Sequence, residues 1–131
     1  MSTEHLPYNR LIRQFMALGP YLREEHCEPQ KFFFDCLACC VSAKKAPDKR
    51  EFWGWWLILE QTPEHFSYHY KLGQLTEIGE WKEAAIPKKH QLEVNRTLRE
   101  FYQRLSKKLE EYAVEIEPAD SLAKDKVIHA A

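Results

Sequence analysis

Between residues 50 and 59 the chain is apolar at most positions, and three of its four tryptophans lie there. A run this rich in aromatic side chains, with β-branched Ile58 inside it, predicts a β-strand. Strand alternation divides the run into two sets, with Phe52, Trp56 and Ile58 on one face and Trp53, Trp55, Leu57 and Leu59 on the other. Because neither face is polar, the strand is either covered on both faces or keeps one face for a partner.

Further stretches also have the period of a strand. Residues 31–41 place Phe32 and Phe34 on one face and Phe33 and Asp35 on the other, which predicts an inner strand. Residues 66–72 alternate aromatic with polar side chains, as in a strand with one buried face. A turn at 62–65 would pair that strand with the tryptophan-rich one as a hairpin. Shorter strands are predicted near residues 80–82 and 114–117.

Two segments have helical spacing. The first holds Leu11, Ile12, Phe15 and Leu18, with Asn9 as the predicted N-cap and Gly19-Pro20 as the end. The second spans residues 92–112, with Glu100 and Arg104 as an ion pair. Its apolar stripe comprises Val94, Leu98, Phe101, Tyr102, Leu105, Leu109 and Tyr112. This order predicts an α+β fold: a small antiparallel β-sheet flanked by an N-terminal helix and a long C-terminal helix.

Length and composition narrow the class of protein. We expect 131 residues to form a single domain, with loose termini at about 1–8 and 121–131. A formal net charge of −1 argues against a general nucleic-acid binder. The chain has no 18-residue apolar span, and its first residues lack a signal-peptide pattern. These features predict a cytoplasmic protein without a membrane contact.

No catalytic or metal-binding constellation is apparent. Cys36 and Cys39 would point to opposite faces of a strand, so we interpret the cysteines as small buried side chains rather than metal ligands. The six histidines are scattered, and no glycine-rich phosphate loop occurs. Asp35 is more simply a hydrogen-bonded carboxylate than a catalytic one. We therefore predict a protein that is not an enzyme and that has no cofactor.

A charged loop precedes the tryptophan-rich strand. Its residues include Lys44, Lys45, Pro47, Asp48 and Lys49, and Arg50 follows directly. Such a loop is usually only solvated surface. Two features favour docking instead: Pro47 lowers the entropy lost on binding, and an arginine beside tryptophans is a common hot-spot composition. The partner surface would be acidic with an apolar centre.

Six segments of the chain together resemble one family. They are ALGPY (17–21), FFFDCLA (32–38), AP (46–47), REFWGWW (50–56), TLREF (97–101) and EPAD (117–120). Their order and spacing are similar to those of the Crl family of bacterial sigma factor-binding proteins. The resemblance runs from about residue 10 to residue 120, and the strings REFWGWW and FFFDCLA are long and rare.

The resemblance implies a function that composition alone does not. Members of this family bind the stationary-phase sigma factor, sigma S, chiefly through its domain 2. They favour its assembly with core RNA polymerase and so raise transcription of its regulon, including curli genes, without reading DNA. The resemblance also implies an α+β fold, and we expect a monomer. A single-stranded nucleic-acid-binding aromatic sheet and a small-ligand carrier remain as alternatives.

The resemblance also assigns site residues. Tyr21, Phe52 and Trp55 match the family's aromatic cavity, and Trp81 matches a tryptophan linked to activity. Arg50 matches an arginine that pairs with acidic residues of the sigma factor. The loop at 42–49, with Lys44, Lys45, Pro47, Asp48 and Lys49, matches the sigma-facing loop.

Strand alternation conflicts with a shared cavity, because it places Phe52 and Trp55 on opposite faces. A bulge near Gly54 would bring these two side chains to the same side of the sheet. The tertiary structure is therefore expected to decide whether the two side chains meet.

Overall fold

The structure, a computed structural model, describes residues 3–42 and 44–128. A short helix α1 (Tyr8–Met16) precedes three ten-residue strands, β1 (Lys31–Cys40), β2 (Phe52–Gln61) and β3 (Phe66–Leu75). The short strand β4 (Trp81–Glu83), the long helix α2 (Lys88–Glu111) and the short strand β5 (Ile116–Pro118) follow. Two helices and a mostly antiparallel sheet confirm the predicted α+β fold.

The sheet has the strand order β1-β2-β3-β4, all antiparallel, and β5 joins the β4 side of β3 in parallel. The prediction that β1 is an inner strand was wrong, because no named strand pairs with its other edge in the described part of the chain. That edge is partly covered by residues 21–23. Asp35 N–H donates to the Tyr21 carbonyl and Arg23 N–H donates to the Phe33 carbonyl, both at 2.9 Å.

Both helices pack on one face of the sheet. Phe15 of α1 makes edge contacts with Phe32, Phe34 and Phe66. Phe101 of α2 contacts Trp55 and Phe34, with ring centroids 5.2 and 4.8 Å apart. Six of the seven residues of the predicted α2 stripe are buried: Val94, Leu98, Phe101, Tyr102, Leu105 and Leu109. The seventh, Tyr112, follows the helix as its C-cap and is half-buried. The amphipathic helices therefore bury one face of the sheet and leave the other to solvent.

The helix ends differ from the predictions. Helix α1 starts at Tyr8, directly after Pro7, and no side chain caps its N-terminus. The predicted N-cap Asn9 lies inside the helix. Proline has its backbone angle φ preset and lacks an N–H, so it can begin a helix without a polar cap.

The predicted ion pair between Glu100 and Arg104 is also replaced. Glu100 accepts a 2.8 Å hydrogen bond from Arg96, which also bonds Glu93. Arg104 instead donates to the Leu18 carbonyl at 3.3 Å and links α2 to the end of α1. Helix spacing allowed either arginine to pair with Glu100, and the α1–α2 contact selects Arg96.

Both predicted loose termini pack on the sheet as far as they are described. Leu6 is 2% exposed, and Thr3 N–H donates to the Pro63 carbonyl. At the other end, Ile128 N–H donates to the Tyr68 hydroxyl and the Tyr70 hydroxyl donates to the Lys126 carbonyl. These anchors are single residues without periodicity, so the sequence pattern did not indicate them. Positions 1–2 and 129–131 lie outside the described residues.

A bulge in β1 lies opposite Gly54. The pairing of β1 with β2 shifts between Leu37 and Cys39, so Ala38 has no partner. A Cβ atom at Gly54 would lie only 1.9 Å from the Cys36 carbonyl oxygen. The expected bulge is thus present in β1 rather than in β2. Because β2 keeps an unbroken register with β3, Phe52 and Trp55 stay on opposite faces.

Replacing Gly54 tests this close approach. We expect Gly54→Ala to lower the free energy of unfolding by about 1–3 kcal/mol, because the new methyl group would push β1 away from β2. Urea titration followed by circular dichroism measures the change. Gly79→Asn is the control, since a Cβ at Gly79 meets no atom within 4 Å and asparagine tolerates its φ of 82°. Equal stabilities for Gly54→Ala and the unmodified protein would contradict the close approach.

Candidate docking site

The face of the sheet opposite the helices carries half-buried apolar side chains. In β2 these are Phe52, Trp56 and Ile58, the set that alternation separates from the buried Trp55, Leu57 and Leu59. Phe52 pairs with Leu75 of β3, which pairs with Trp81 of β4. Cross-strand partners share a face, so these three form one row. We call this surface the open face.

Trp81 lies across the open face rather than beside its own strand. Its indole stacks on Trp56, with ring centroids 5.0 Å apart and planes at 29°. Its Nε1–H donates to Oδ2 of Asp35 at 3.0 Å, so the ring spans the sheet from β4 to β1. Gly54 leaves room beneath it, since a Cβ there would lie 3.2 Å from the indole. The stack and the hydrogen bond hold Trp81 in a defined orientation.

Asp35 joins this tryptophan to Arg23. The side chain of Asp35 is only 8% exposed, and its Oδ1 accepts a 2.6 Å hydrogen bond from Arg23 Nε. Each carboxylate oxygen therefore has a donor, as a buried charge requires. The interpretation of Asp35 as a hydrogen-bonded carboxylate is confirmed. By accepting the hydrogen bond from Trp81, Asp35 holds that indole in place on the open face.

The charged loop lies at the Phe52 end of the open face. It contains a 3₁₀ turn, Pro47–Lys49, in which Lys49 N–H donates to the Ala46 carbonyl. Arg50 Nε donates to the Lys45 carbonyl at 3.0 Å, which ties the two ends of the turn together. Lys45 also lies 3.9 Å from Glu51. Residues 44–49 are exposed, so their charges face solvent beside the aromatic row.

The predicted aromatic cavity does not form around Tyr21, Phe52 and Trp55. Tyr21 and Trp55 do meet, with stacked rings 5.8 Å apart, but they do so under the helices. Trp55 is 0% exposed, and its Nε1–H donates to Thr97 Oγ1 of α2 at 3.1 Å. Phe52 lies on the opposite side of the sheet. The predicted residues therefore form two groups.

One group lies at the surface and the other lies in the core. Arg50, Phe52 and Trp81 lie on or beside the open face, together with the charged loop. Tyr21 and Trp55 lie on the face of the sheet that the helices cover. The resemblance did not include Trp56 among the site residues, yet Trp56 forms part of the open face beneath Trp81. Strand alternation already placed Trp56 on the same face as Phe52, and this is the sequence signal that indicates its position on the open face.

Three of the described cysteines have thiols of low reactivity. Burial raises the pKa of the Cys27, Cys36 and Cys39 thiols, which makes them poor nucleophiles at neutral pH. Within residues 3–42 and 44–128 no group of histidine, cysteine and acidic side chains is arranged to hold a metal ion. Among the same residues, no helix combines the length and apolarity needed to span a bilayer.

A groove of about 770 Å³ lies away from these aromatics, between β3, β4 and the C-terminal segment. Charged side chains contribute to its lining, among them Lys71, Glu83, Asp125 and Lys126. A carrier of small apolar ligands needs a largely apolar cavity. Neither the groove nor the side-chain-filled aromatic core provides one.

A sheet covered on one face, with an open aromatic face beside a basic loop, has the surface of a candidate binding module. Comparison with known proteins shows the family to which the chain belongs. The family described as "Sigma factor-binding transcriptional regulator Crl" matches residues 1–126, and the chain belongs to this family. The resemblance inferred from the sequence is thereby confirmed.

Several curated relatives carry the name "Sigma factor-binding protein Crl". The protein of Photobacterium profundum is 47% identical over 113 residues, which cover 85% of each chain. That of Vibrio cholerae is 49% identical over 102 residues, covering 78% of this chain and 79% of the relative. That of Vibrio vulnificus is 42% identical over 109 residues, covering 83% and 84%.

The Asp35 network yields a stability prediction. We expect Asp35→Ala to lower the free energy of unfolding by roughly 1.5–3 kcal/mol, because Arg23 and the Trp81 indole both lose their acceptor. Urea titration measures this loss, and the far-ultraviolet exciton signal of the Trp56–Trp81 stack should weaken with it. Glu111→Ala is the control: Glu111 lies 3.3 Å from Lys108, but its side chain is 58% exposed, so this contact should contribute under about 1 kcal/mol. An unchanged exciton signal in Asp35→Ala would contradict the positioning of Trp81.

Proposed function

We propose that this protein binds the stationary-phase sigma factor, sigma S, through domain 2 of that factor, and promotes its assembly with core RNA polymerase. It acts as a cytoplasmic monomer and as a non-enzymatic activator, without reading DNA. Membership of the Crl family and the names of its relatives support a sigma factor as the partner. The single observation that carries the proposal is the basic loop at the edge of an uncovered aromatic sheet face.

The charges of the loop suit an acidic partner. Lys44, Lys45 and Lys49 are exposed, and Arg50 follows at the rim of the open face. Clustered positive charge speeds the encounter with a negative surface. The planar fork of Arg50 then suits a sigma carboxylate. Because Pro47 and the Arg50–Lys45 bond already restrict the turn, binding costs less entropy.

The aromatic residues divide between contact and support. Phe52 and Trp81 share the open face with the loop and are the proposed direct contacts. Tyr21 and Trp55 remain proposed contributors, but Trp55 has no exposed surface and can act only through the position of β2. Its indole is held between Tyr21, Phe101 and Thr97. In this way the helix layer keeps β2 rigid while the opposite side of β2 meets the partner.

Activation follows from differential affinity. A protein that binds the polymerase-competent form of the sigma factor more tightly raises the population of that form. The gain in holoenzyme assembly is limited by the ratio of the two affinities, and no covalent chemistry is needed. A second, weak contact with core polymerase would raise the effective concentration of the bound sigma factor near the polymerase.

Single-stranded nucleic acid is the second candidate, because Phe52 and Trp81 are half-exposed aromatics beside a basic loop. The acidic side chains of Glu77, Glu80 and Glu83 near the same aromatics make a phosphate backbone less favourable. Fluorescence anisotropy with a labelled oligonucleotide distinguishes the two partners. Salt-sensitive binding tighter than that of the sigma factor would favour nucleic acid.

Arg50 is the first residue to test. We expect Arg50→Ala to weaken sigma S binding by at least about 30-fold, which corresponds to ~2 kcal/mol for a hot-spot arginine. Arg50→Lys should recover only part of this loss, since it keeps the charge but not the fork. Isothermal titration calorimetry measures both variants.

Arg99→Ala is the matched control, because Arg99 is an exposed arginine on α2, in the helix layer. It should bind as the unmodified protein does. Equal affinities for Arg50→Ala and Arg99→Ala would contradict the docking role of the loop rim. A pull-down with both sigma factors checks specificity: equal capture of sigma S and the housekeeping factor would argue against sigma S as the partner.

A substitution at Trp55 tests whether this residue supports β2 from the core or contacts the sigma factor directly. We expect Trp55→Phe to lower the free energy of unfolding by about 1–3 kcal/mol, since it removes the bond to Thr97 and leaves a small cavity. The folded fraction should bind sigma S within about threefold of normal. Chemical denaturation and calorimetry at low temperature give the two quantities separately. A large loss of affinity in a fully folded variant would restore Trp55 as a direct contact.

A further inference from the structure

The outer surface of the helix layer carries concentrated positive charge. Five basic side chains follow the contact between α1 and α2: Arg10, Arg13, Arg104, Lys107 and Lys108. We call this set the basic seam. Glu111 lies 3.3 Å from Lys108 and reduces the net charge of the seam to +4, whereas the whole chain has a formal net charge of −1. Positive charge is therefore segregated onto this surface.

Two contacts show that the helices run antiparallel along the seam. Arg10, near the start of α1, lies over the ring of Tyr112, which follows the end of α2, with Cζ 5.2 Å from the ring centroid. Arg104, two turns earlier in α2, donates to the Leu18 carbonyl just after α1 ends. Lys108 lies between these two contacts. The basic groups of α2 therefore repeat along the seam at intervals of one helical turn, ~5.4 Å.

The seam brings like charges together within each helix. Arg13 follows Arg10 by three positions, and Lys107 and Lys108 follow Arg104 by three and four. Like charges at these spacings destabilise a helix. Among residues 3–42 and 44–128, no acidic side chain lies within ion-pair distance of Arg13 or Lys107. Folding gains nothing from this arrangement, which favours a partner of opposite charge.

Two arginines of the seam are held in place before any partner binds. The guanidinium of Arg10 lies over Tyr112, and that of Arg104 bonds the Leu18 carbonyl. Both side chains remain exposed, so their other N–H groups face solvent. Donors that are already positioned lose less entropy on binding, and the planar fork of arginine suits a carboxylate.

The seam and the open face lie on opposite sides of the molecule. Both helices pack on the Trp55 face of the sheet, and the seam is on the outer side of these helices. Phe52 and Trp81 lie on the other face of the sheet. A partner on the seam would therefore leave the open face available to a second partner.

We infer that the basic seam binds an acidic segment of core RNA polymerase while the open face holds the sigma factor. This inference rests on the proposed function and assigns a surface to the polymerase contact within it. Carboxylates three or four positions apart on a partner helix would match the one-turn spacing of the seam. Exposed ion pairs are individually weak, so the contact would act by raising effective concentration rather than by tight binding.

A nucleic acid fits this surface less well. Toward its N-terminus from Arg104, α2 exposes Glu93 and Glu100, which share the guanidinium of Arg96. Two carboxylates and one guanidinium leave a negative charge next to the seam. A long phosphate backbone would meet this charge, whereas a short acidic protein segment would not.

Charge reversal at Arg13 and Lys107 tests the seam. We expect Arg13→Glu/Lys107→Glu to bind sigma S within about twofold of normal, because neither residue lies on the open face. The complex of this variant with sigma S should bind core polymerase at least about fivefold more weakly than the unmodified complex, and with a smaller salt dependence. Calorimetry measures the first affinity. Fluorescence anisotropy of labelled sigma S, titrated with core polymerase in the presence of each variant, measures the second.

Lys124→Glu/Lys126→Glu is the matched control. It makes the same change of net charge on an exposed 3₁₀ turn that packs on β3. This control should leave core binding within about twofold of normal, as should Arg13→Lys/Lys107→Arg, which keeps both charges. Thermal unfolding should show that Arg13→Glu/Lys107→Glu is at least as stable as the unmodified protein, because it removes like-charge pairs.

The outcomes separate the seam from the proposed function. If the charge-reversed variant binds sigma S and promotes core binding as the unmodified protein does, the seam inference is overturned and the proposed function stands. If the unmodified protein does not bind sigma S or does not promote core binding, both fail. If charge reversal abolishes binding to a labelled DNA duplex but leaves core binding unchanged, the seam holds nucleic acid and the inference is overturned.

Discussion

The packing of both helices on one face of the sheet is the constraint on which the rest of the structure depends. Phe15 and Phe101 reach into the same aromatic layer, and Trp55 closes it with a hydrogen bond to Thr97. Burying these rings supplies the main driving force for folding. Because both helices pack on this face of the sheet, neither helix covers the opposite face of the tryptophan-rich strand β2. One strand thus packs in the core with one face and leaves the other face uncovered by the helices.

The open face is kept rigid by polar contacts rather than by a second apolar layer. Trp81 would be a mobile side chain on a three-residue strand if it had no further partner. Its bond to Asp35, which Arg23 also holds, fixes the ring over Trp56 and Gly54. A preformed surface pays less entropy on binding than a flexible one. The buried carboxylate of Asp35 therefore holds Trp81 in a defined orientation on the open face.

Local sequence patterns predicted the features that depend on residues close together in the chain. Strand alternation correctly separated Phe52 from Trp55, even though the resemblance suggested a shared cavity. Helical spacing correctly selected the α2 stripe. The errors arose where partners are distant along the chain: β1 is an edge strand, Glu100 pairs with Arg96, and residues 121–128 pack on β3. The role of Trp81 was suggested only by resemblance, since its contacts with Asp35 and Trp56 cross 46 and 25 positions of sequence.

The sequence by itself determined the α+β class, the main elements, the two faces of the central strand and the Crl family. These features depend on periodicity and on local residue strings, which a linear pattern records. Only the tertiary structure decided that both helices choose the Trp55 face, that the bulge lies in β1, and that Trp81 crosses the sheet. Such choices depend on contacts between residues far apart in the chain, and their energies are set by packing rather than by local preference.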